Sequence, residues 1–229
     1  AALIIIIFFI PYTASGFAAC GKLFSSLFGM NYMTAMLLSA IVIVGYTAAG
    51  GFFAASTTDF VQSIIMTVAI VFVLIYATVS AGGVSAVEEN AKQLPGYLSF
   101  VSSYSETTGE SEPYNLLHII TTLSWGLGYF GMPHILLRFM AIEDDKKLKL
   151  SRRVASVWVV IAMAMAVLIG LVGRGLSSTG LIASLHGNDT ETVIVRVAGL
   201  LSTHGVFPAL MAGLILAGIL ASTMSTADS

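Results

Sequence analysis

The stretch that decides the fold is residues 124–134, which read SWGLGYFGMPH. It lies at the end of an apolar segment, yet it holds three glycines and a proline within eight residues. Glycine weakens a helix and proline removes a backbone donor, so the helix is predicted to break here. Irregular backbone at membrane depth survives only where it is buried in protein or lines a cavity. The break therefore indicates a binding site in a membrane transporter.

Composition supports a membrane setting. Of the 229 residues, 57% are hydrophobic and 10% are charged, whereas a soluble domain carries about 25% charged residues. A bilayer is crossed by about 20 apolar residues. The sequence predicts an all-α integral membrane protein with six transmembrane helices, over residues 1–27, 33–53, 60–82, 115–133, 154–176 and 206–227.

The connections between these spans fix the expected orientation. Residues 138–153 carry six of the ten cations in the chain, which is typical of a cytoplasmic loop. Residues 83–114 carry five glutamates against one lysine and are expected to face outward. Short surface helices are predicted over residues 84–94 and 191–202. Because the chain opens inside an apolar run and stops within a motif, we expect one transmembrane transporter domain, residues 1–229, truncated at both ends.

The last span ends in a cluster of small polar residues. Ser222, Ser225 and Thr226 lie at i, i+3 and i+4, so the carbonyl of Ser222 and the two hydroxyls can converge on one point. Neutral oxygens form part of a cage for a hard monovalent cation. The alternative is local, because the hydroxyl of Thr226 can instead donate back to the carbonyl of Ser222. Asp228 follows this motif and could attract the same ion or pair with an N-terminal helix that is missing from this chain.

Two aromatic residues stand beside the predicted break. Trp125 and Tyr129 are four residues apart and share one face of a helix, and Pro133 follows four residues later. A stacking ring with a phenol hydroxyl suits a small cyclic imino acid, although an aromatic belt at the membrane interface is the alternative. Asp59 is expected in the first turn of the third span, where an acid complements the helix dipole.

Several motifs along the chain together resemble those of a known protein family. Residues 29–32, the apolar block that follows and residues 46–54 together resemble the signature of the sodium:solute symporter family. Residues 12–16, 58–62, 125–140 and 224–226 resemble further landmarks of its bacterial proline-transporting branch, so the resemblance covers essentially the whole chain. It implies an inverted-repeat fold of two five-helix repeats, of which this chain would hold core helices three to eight. Core helices one, two, nine and ten would be missing from it.

The resemblance also implies roles for particular residues. Substrate would lie against Trp125, Tyr129 and Pro133, with Tyr12 as a further position on the substrate side, where a tyrosine that fills the kink beside Pro11 is the alternative. Sodium would bind Ser222, Ser225 and Thr226 together with two backbone carbonyls of core helix one. Asp59 would mark the path by which sodium leaves to the cytoplasm. Met132 stands where some relatives carry Gln.

The function implied is sodium-driven uptake of a small amino acid, above all L-proline, by a multi-pass protein of the bacterial inner membrane. Sodium is then a transported ion and not a prosthetic group, and the protein is not an enzyme. The expected partners are the small-molecule substrate, sodium, the lipid bilayer and the missing helices of the full-length chain, with no nucleic acid. Two alternatives stay open: a symporter-like sensor domain fused to a signalling kinase, and a sodium symporter for another small organic solute.

Overall fold

The structure, a computed structural model, describes residues 2–129 and 131–228. It contains eight α-helices and a two-stranded antiparallel hairpin within those residues. The helices are α1 (Ala2–Phe28), α2 (Tyr32–Ser80), α3 (Val84–Lys92), α4 (Leu116–Tyr129), α5 (Pro133–Met140), α6 (Leu148–Ser178), α7 (Val193–Ser202) and α8 (Val206–Asp228). The strands are β1 (Ser102–Tyr104) and β2 (Ser111–Pro113). Short 3-10 helices over Asp145–Lys147 and Gly187–Thr192 precede α6 and α7.

Helix α2 is bent sharply at Gly51. This residue has φ 56° and ψ −149°, a conformation that is essentially restricted to glycine. A Cβ on Gly50 would collide with the Cβ of Ala54, so the residue before the bend is also confined to glycine unless its surroundings shift. The bend divides α2 into residues 32–50 and residues 52–80.

Both halves of α2 pack on α8, which shows how far the bend turns the chain. Ile43 and Leu220 line one cavity, and a Cβ on Gly218 would lie 2.7 Å from the Cβ of Ala69. In a straight helix Ile43 and Ala69 would be about 39 Å apart, whereas two residues along α8 span only about 3 Å. The halves of α2 therefore fold back toward each other beside α8.

One compact unit comprises residues 1–77 and 180–229, as far as they are described. In it α8 packs against α1 and α7, and the two halves of α2 approach it at Asp228 and at Gly218. Small residues allow the close approach, because a Cβ on Gly16 of α1 would lie 3.1 Å from the Cβ of Ala227. A salt bridge of 2.6 Å joins Lys22 to Glu191, beside α7.

The second compact unit is residues 78–179, apart from residue 130. Here α3 lies on the end of α6: a Cβ on Gly175 would be 3.5 Å from Val87 and 3.6 Å from Ala81. The hairpin pairs Ser103 with Glu112 in the connection that follows α3. This hairpin was not predicted, because strands of three residues give too short an alternation to read.

The predicted spans agree with the structure in part. Four helical segments are long and apolar enough to cross a membrane among the described residues: Ala2–Phe28, Tyr32–Ser80, Asp145–Ser178 and Val206–Asp228. The predicted connection at residues 54–59 is wrong, because these residues are helical and the interruption falls at Gly51. The span predicted over residues 115–133 is shorter than expected, since α4 ends at Tyr129. The surface helices at residues 84–94 and 191–202 are confirmed as α3 and α7, each with shifted ends.

Candidate functional site

The cation motif lies near the end of α8. Ser222, Ser225 and Thr226 are all half-buried in the first unit. The hydroxyl of Thr226 donates to the carbonyl of Ser222 over 3.1 Å, which is the local bond that the spacing left open. This bond does not exclude a cation, because the hydroxyl oxygen keeps its lone pairs after donating its proton and a carbonyl has two.

Small residues hold α8 against its neighbours at the level of this motif. Gly218, one turn before Ser222, is buried where the second half of α2 approaches, near Ala69 and Met66. Ala227, directly after Thr226, lies against Gly16 of α1. A larger side chain at either glycine would force the helices apart, since both contacts are already tight. The motif is therefore set on a rigid, closely packed helix.

A contact that sequence reasoning missed lies at the last turn of α8. The hydroxyl of Tyr46, on the first half of α2, donates to Oδ2 of Asp228 over 2.6 Å. The two residues are 182 positions apart in sequence, so no local pattern connects them. The structure thus gives Asp228 a neutral hydroxyl donor as a partner, whereas the expected partners were the cation and an N-terminal helix that is missing from this chain.

Asp59 lies on the same bent helix. It is half-buried within α2, about two turns beyond Gly51. The expected position in the first turn of a helix is therefore wrong, because residues 52–58 already continue the helix before it. Its neighbour Thr58 donates to the carbonyls of Ala54 and Ala55, each over 2.9 Å. The role of Asp59 on an exit path stays a prediction.

The predicted break in the second unit is confirmed. Helix α4 ends at Tyr129, Gly131 and Met132 donate back to the carbonyls of Gly128 and Tyr129, and α5 begins at Pro133. Proline at the first helical position is favoured because its missing N–H would have no partner there. Residue 130 lies outside the described residues.

The aromatic pair stands at the end of α4. The ring centroids of Trp125 and Tyr129 are 5.5 Å apart with planes tilted by 42°, within the range in which aromatic rings attract each other. Trp125 is 73% exposed and Tyr129 47% exposed, and no side chain of α4 is buried over its described residues 116–129. Beyond the break, the ring of the buried His134 meets Tyr129 edge-on at 6.5 Å. The pair thus presents open aromatic surface.

Tyr12, the remaining predicted substrate position, lies on α1 in the first unit. Its ring is 5.5 Å from that of Phe9, and its carbonyl accepts a 2.6 Å hydrogen bond from Ser15. Pro11 lies inside α1 directly before Tyr12, and a serine hydroxyl in a helix commonly bonds back to a carbonyl of the preceding turn in this way. The local contacts thus agree with a structural role at the proline, and a substrate role stays a prediction.

Long apolar helices, a helix broken at glycine and proline, and a neutral-oxygen motif on a packed helix define a multi-pass membrane protein of the transporter class. Comparison with known proteins makes this specific. The chain belongs to the sodium:solute symporter family, whose model matches residues 1–229. Members of this family are transporters and not enzymes, and sodium is the ion they co-transport.

Curated relatives match along almost the whole chain. Sodium/proline symporter 2 of Staphylococcus saprophyticus is 39% identical over 227 residues, which are 99% of this chain and 41% of the relative. The sodium/proline symporter of Staphylococcus aureus is 38% identical over 229 residues, again 99% of this chain and 41% of the relative. The chain thus spans about two fifths of the length of these relatives. No solved structure matches it.

Proposed function

We propose that this chain provides the cation motif and part of the substrate site of a secondary active transporter that couples inward sodium movement to uptake of L-proline. The observation that carries the proposal is the end-to-end similarity to sodium/proline symporters at 38–39% identity. The neutral oxygens of α8 and the aromatic pair of α4 are chemically suited to the two cargoes. The six spans, the inverted repeat and a location in the bacterial inner membrane belong to the same proposal.

Sodium would bind the carbonyl of Ser222 and the hydroxyls of Ser225 and Thr226. Three neutral oxygens on one half-buried face suit a small hard cation that must later leave, because they attract it without a fixed charge. Oxygens from helices outside residues 1–229 would complete the shell. Asp59, also half-buried, would then attract sodium on its way to the cytoplasm.

Proline would bind at the break between α4 and α5. The imino acid has an apolar ring and a zwitterionic head, so it requires an apolar surface beside polar groups. The exposed face of Trp125 offers the surface, and the hydroxyl of Tyr129 and the backbone at the break offer polar partners. Pro133 fixes where the helix resumes, and Tyr12 would approach the substrate from α1.

Coupling would follow from the order of binding. Sodium would stabilise the outward-open arrangement, substrate would bind next, and rocking of one helix bundle against another would release both inward. The membrane potential contributes about 2.3 kcal/mol per elementary charge for every 100 mV. No covalent chemistry is needed.

The test is uptake of labelled proline into vesicles that carry the full-length protein, driven by an inward sodium gradient and compared with an equal potassium gradient. The proposal predicts saturable uptake that requires sodium and is competed by unlabelled proline. Sodium-dependent uptake of a different solute would contradict the choice of substrate. Sodium-sensitive binding of proline without any uptake would contradict transport and support a sensor.

A further inference from the structure

We propose that Tyr46 is a positioning residue for sodium binding, which acts by holding the last turn of α8 through Asp228. The inference rests on the proposed sodium site at Ser222, Ser225 and Thr226 and names a residue outside it. Tyr46 lies on the first half of α2, whereas the three proposed ligands lie on α8.

The contact is short and strongly directional. The hydroxyl of Tyr46 donates to Oδ2 of Asp228 over 2.6 Å, and both side chains are half-buried. A hydrogen bond to an ionised carboxylate is roughly twice as strong as one between neutral groups. Shielding from water strengthens it further. This bond therefore fixes the position of Asp228 more firmly than packing alone would.

Asp228 is well placed to transmit that constraint to the cation motif. It follows Ser225 by three residues and Thr226 by two, so it lies about one turn beyond Ser225 on an adjacent face of the helix. Helix α8 is continuous through Ser225, Thr226 and Asp228, so a bond that holds Asp228 against α2 also fixes the rotation of this part of α8 about its axis. The hydroxyls of Ser225 and Thr226 are thereby kept in a fixed direction.

The last turn is held from a second side as well. Ala227 lies between Thr226 and Asp228 and packs against Gly16 of α1, where a Cβ on Gly16 would lie 3.1 Å from the Cβ of Ala227. Packing on α1 resists translation of the turn, whereas the bond from Tyr46 resists rotation about the helix axis. A binding site must hold its ligands within about 0.5 Å of the productive geometry. Loss of the bond should therefore weaken sodium binding without unfolding α8.

A competing explanation is that Asp228 binds sodium directly, and two substitutions separate the explanations. Tyr46→Phe removes only the donor and leaves the carboxylate in place. Asp228→Asn removes the charge but keeps a side-chain oxygen that can accept from Tyr46. If Tyr46 positions the site, Tyr46→Phe should weaken sodium binding more than Asp228→Asn does. If Asp228 binds sodium directly, Asp228→Asn should weaken sodium binding more than Tyr46→Phe does.

The experiment uses the full-length protein in vesicles and in detergent. The first readout is the sodium concentration that gives half-maximal proline uptake, with the KM for proline measured at saturating sodium. The second readout is the half-saturating sodium concentration, that is the sodium Kd, which is obtained by linkage from the dependence of Tm on sodium concentration and does not require transport. Tyr76→Phe is the matched control, because Tyr76 is also half-buried on α2 and its ring meets His204 at 6.3 Å, near the start of α8 and away from Asp228.

We expect Tyr46→Phe to raise the half-maximal sodium concentration about fivefold to tenfold in both readouts. The KM for proline at saturating sodium should stay within about twofold of wild type, and Tyr76→Phe should lie near wild type. Asp228→Asn should lie between wild type and Tyr46→Phe, because its neutral amide oxygen accepts a weaker bond from Tyr46. Asp228→Ala should raise the half-maximal sodium concentration as much as Tyr46→Phe does. The double variant should raise it no further than either single change, because both changes remove the same bond. If Tyr46→Phe does not fold, the comparison of Asp228→Ala with Asp228→Asn decides the question.

Several outcomes would overturn the inference. An unchanged half-maximal sodium concentration in Tyr46→Phe would do so. A larger rise of that concentration in Asp228→Asn than in Tyr46→Phe would also do so, as would an equal weakening of sodium and proline binding in Tyr46→Phe. Failure of proline uptake in the wild type, with sodium still raising its Tm, would refute proline as substrate while the second readout still tests Tyr46. A wild type that does not respond to sodium in either readout would refute the sodium site and this inference together.

Discussion

The bent helix α2 and the broken helix formed by α4 and α5 are both interrupted at glycine, but their surroundings differ. At Gly51 the chain turns so that residues on both sides of the bend pack on α8. At residues 128–133 the chain interrupts its helix and leaves Trp125 and Tyr129 exposed beside the gap. The first interruption therefore brings α2 into packing contact beside α8, whereas the second leaves two aromatic side chains exposed.

The two proposed cargoes, sodium and proline, require different kinds of binding site. A sodium ion is bound by a few oxygens whose positions must be accurate, so its ligands belong on a helix fixed by neighbours. A small imino acid is bound largely through apolar contact, and its site must open and close. The half-buried residues of α8 and the exposed residues of α4 fit these two demands respectively.

The largest effect is expected from a substitution at the bend of α2, where the helix packs beside α8. Gly51→Ala places a side chain at φ 56° and ψ −149°, which costs of the order of 1–3 kcal/mol, and unbending α2 to avoid that strain would separate it from α8. We expect a large fall in the yield of folded protein and in Tm. Gly45→Ala on the same helix is the control, since a Cβ there meets nothing within 4 Å. Equal Tm values for the two variants would show that the bend does not carry the fold.

The next effect concerns the cation motif itself. Thr226→Ala removes one proposed ligand and the bond to Ser222, and we expect it to raise the half-maximal sodium concentration for proline uptake by at least about tenfold. Thr223→Ala on the same helix is the control, because that hydroxyl donates to the carbonyls of Ile219 and Leu220. Sodium dependence that is equally affected in both variants would refute Thr226 as a specific ligand.

A smaller effect is expected at the open region. Trp125→Ala removes an exposed ring, so we expect a rise of about fivefold to tenfold in the KM for proline. The half-maximal sodium concentration should change less, and the Tm should hardly change because the side chain is 73% exposed. Trp125→Phe keeps an aromatic face, so its KM for proline should lie between those of the wild type and Trp125→Ala. A large loss of Tm in Trp125→Ala would mean that the ring supports the fold instead.

The smallest effect lies on the surface of the second unit. Glu88 and Lys92 form a 2.6 Å pair one turn apart on α3, and the Lys92 ammonium lowers the pKa of the Glu88 carboxyl. Any stabilisation by this pair is present at neutral pH and is lost as the pH falls through the lowered pKa. Because both side chains are exposed, we expect Glu88→Gln to leave Tm at pH 7 within error of wild type. A clear fall in Tm would show that α3 contributes more to the unit than its packing indicates.

Sequence patterns predicted the features that depend on neighbouring residues. The break before Pro133 follows from local glycine and proline chemistry, and the spacing of Ser222, Ser225 and Thr226 follows from helical periodicity. The hydroxyl bond from Thr226 to Ser222 was foreseen for the same reason. Such features require no knowledge of which helices become neighbours.

Features that depend on distant neighbours were not predictable in this way. The bond from Tyr46 to Asp228 joins two helices, and a polar residue in an apolar run does not identify its partner. The turn between the second and third predicted spans was expected at the polar residues 54–59, but the chain turns at Gly51 because only glycine tolerates that backbone conformation.

The most direct test of the account is whether proline stimulates sodium entry. Radioactive sodium would be measured entering vesicles that carry the full-length protein, with and without external proline, for the wild type and Thr226→Ala. The account predicts that proline accelerates sodium entry in the wild type and that the acceleration is lost in Thr226→Ala at the same sodium concentration. Sodium entry that does not respond to proline, or a response that survives in Thr226→Ala at limiting sodium, would contradict coupling through the motif on α8.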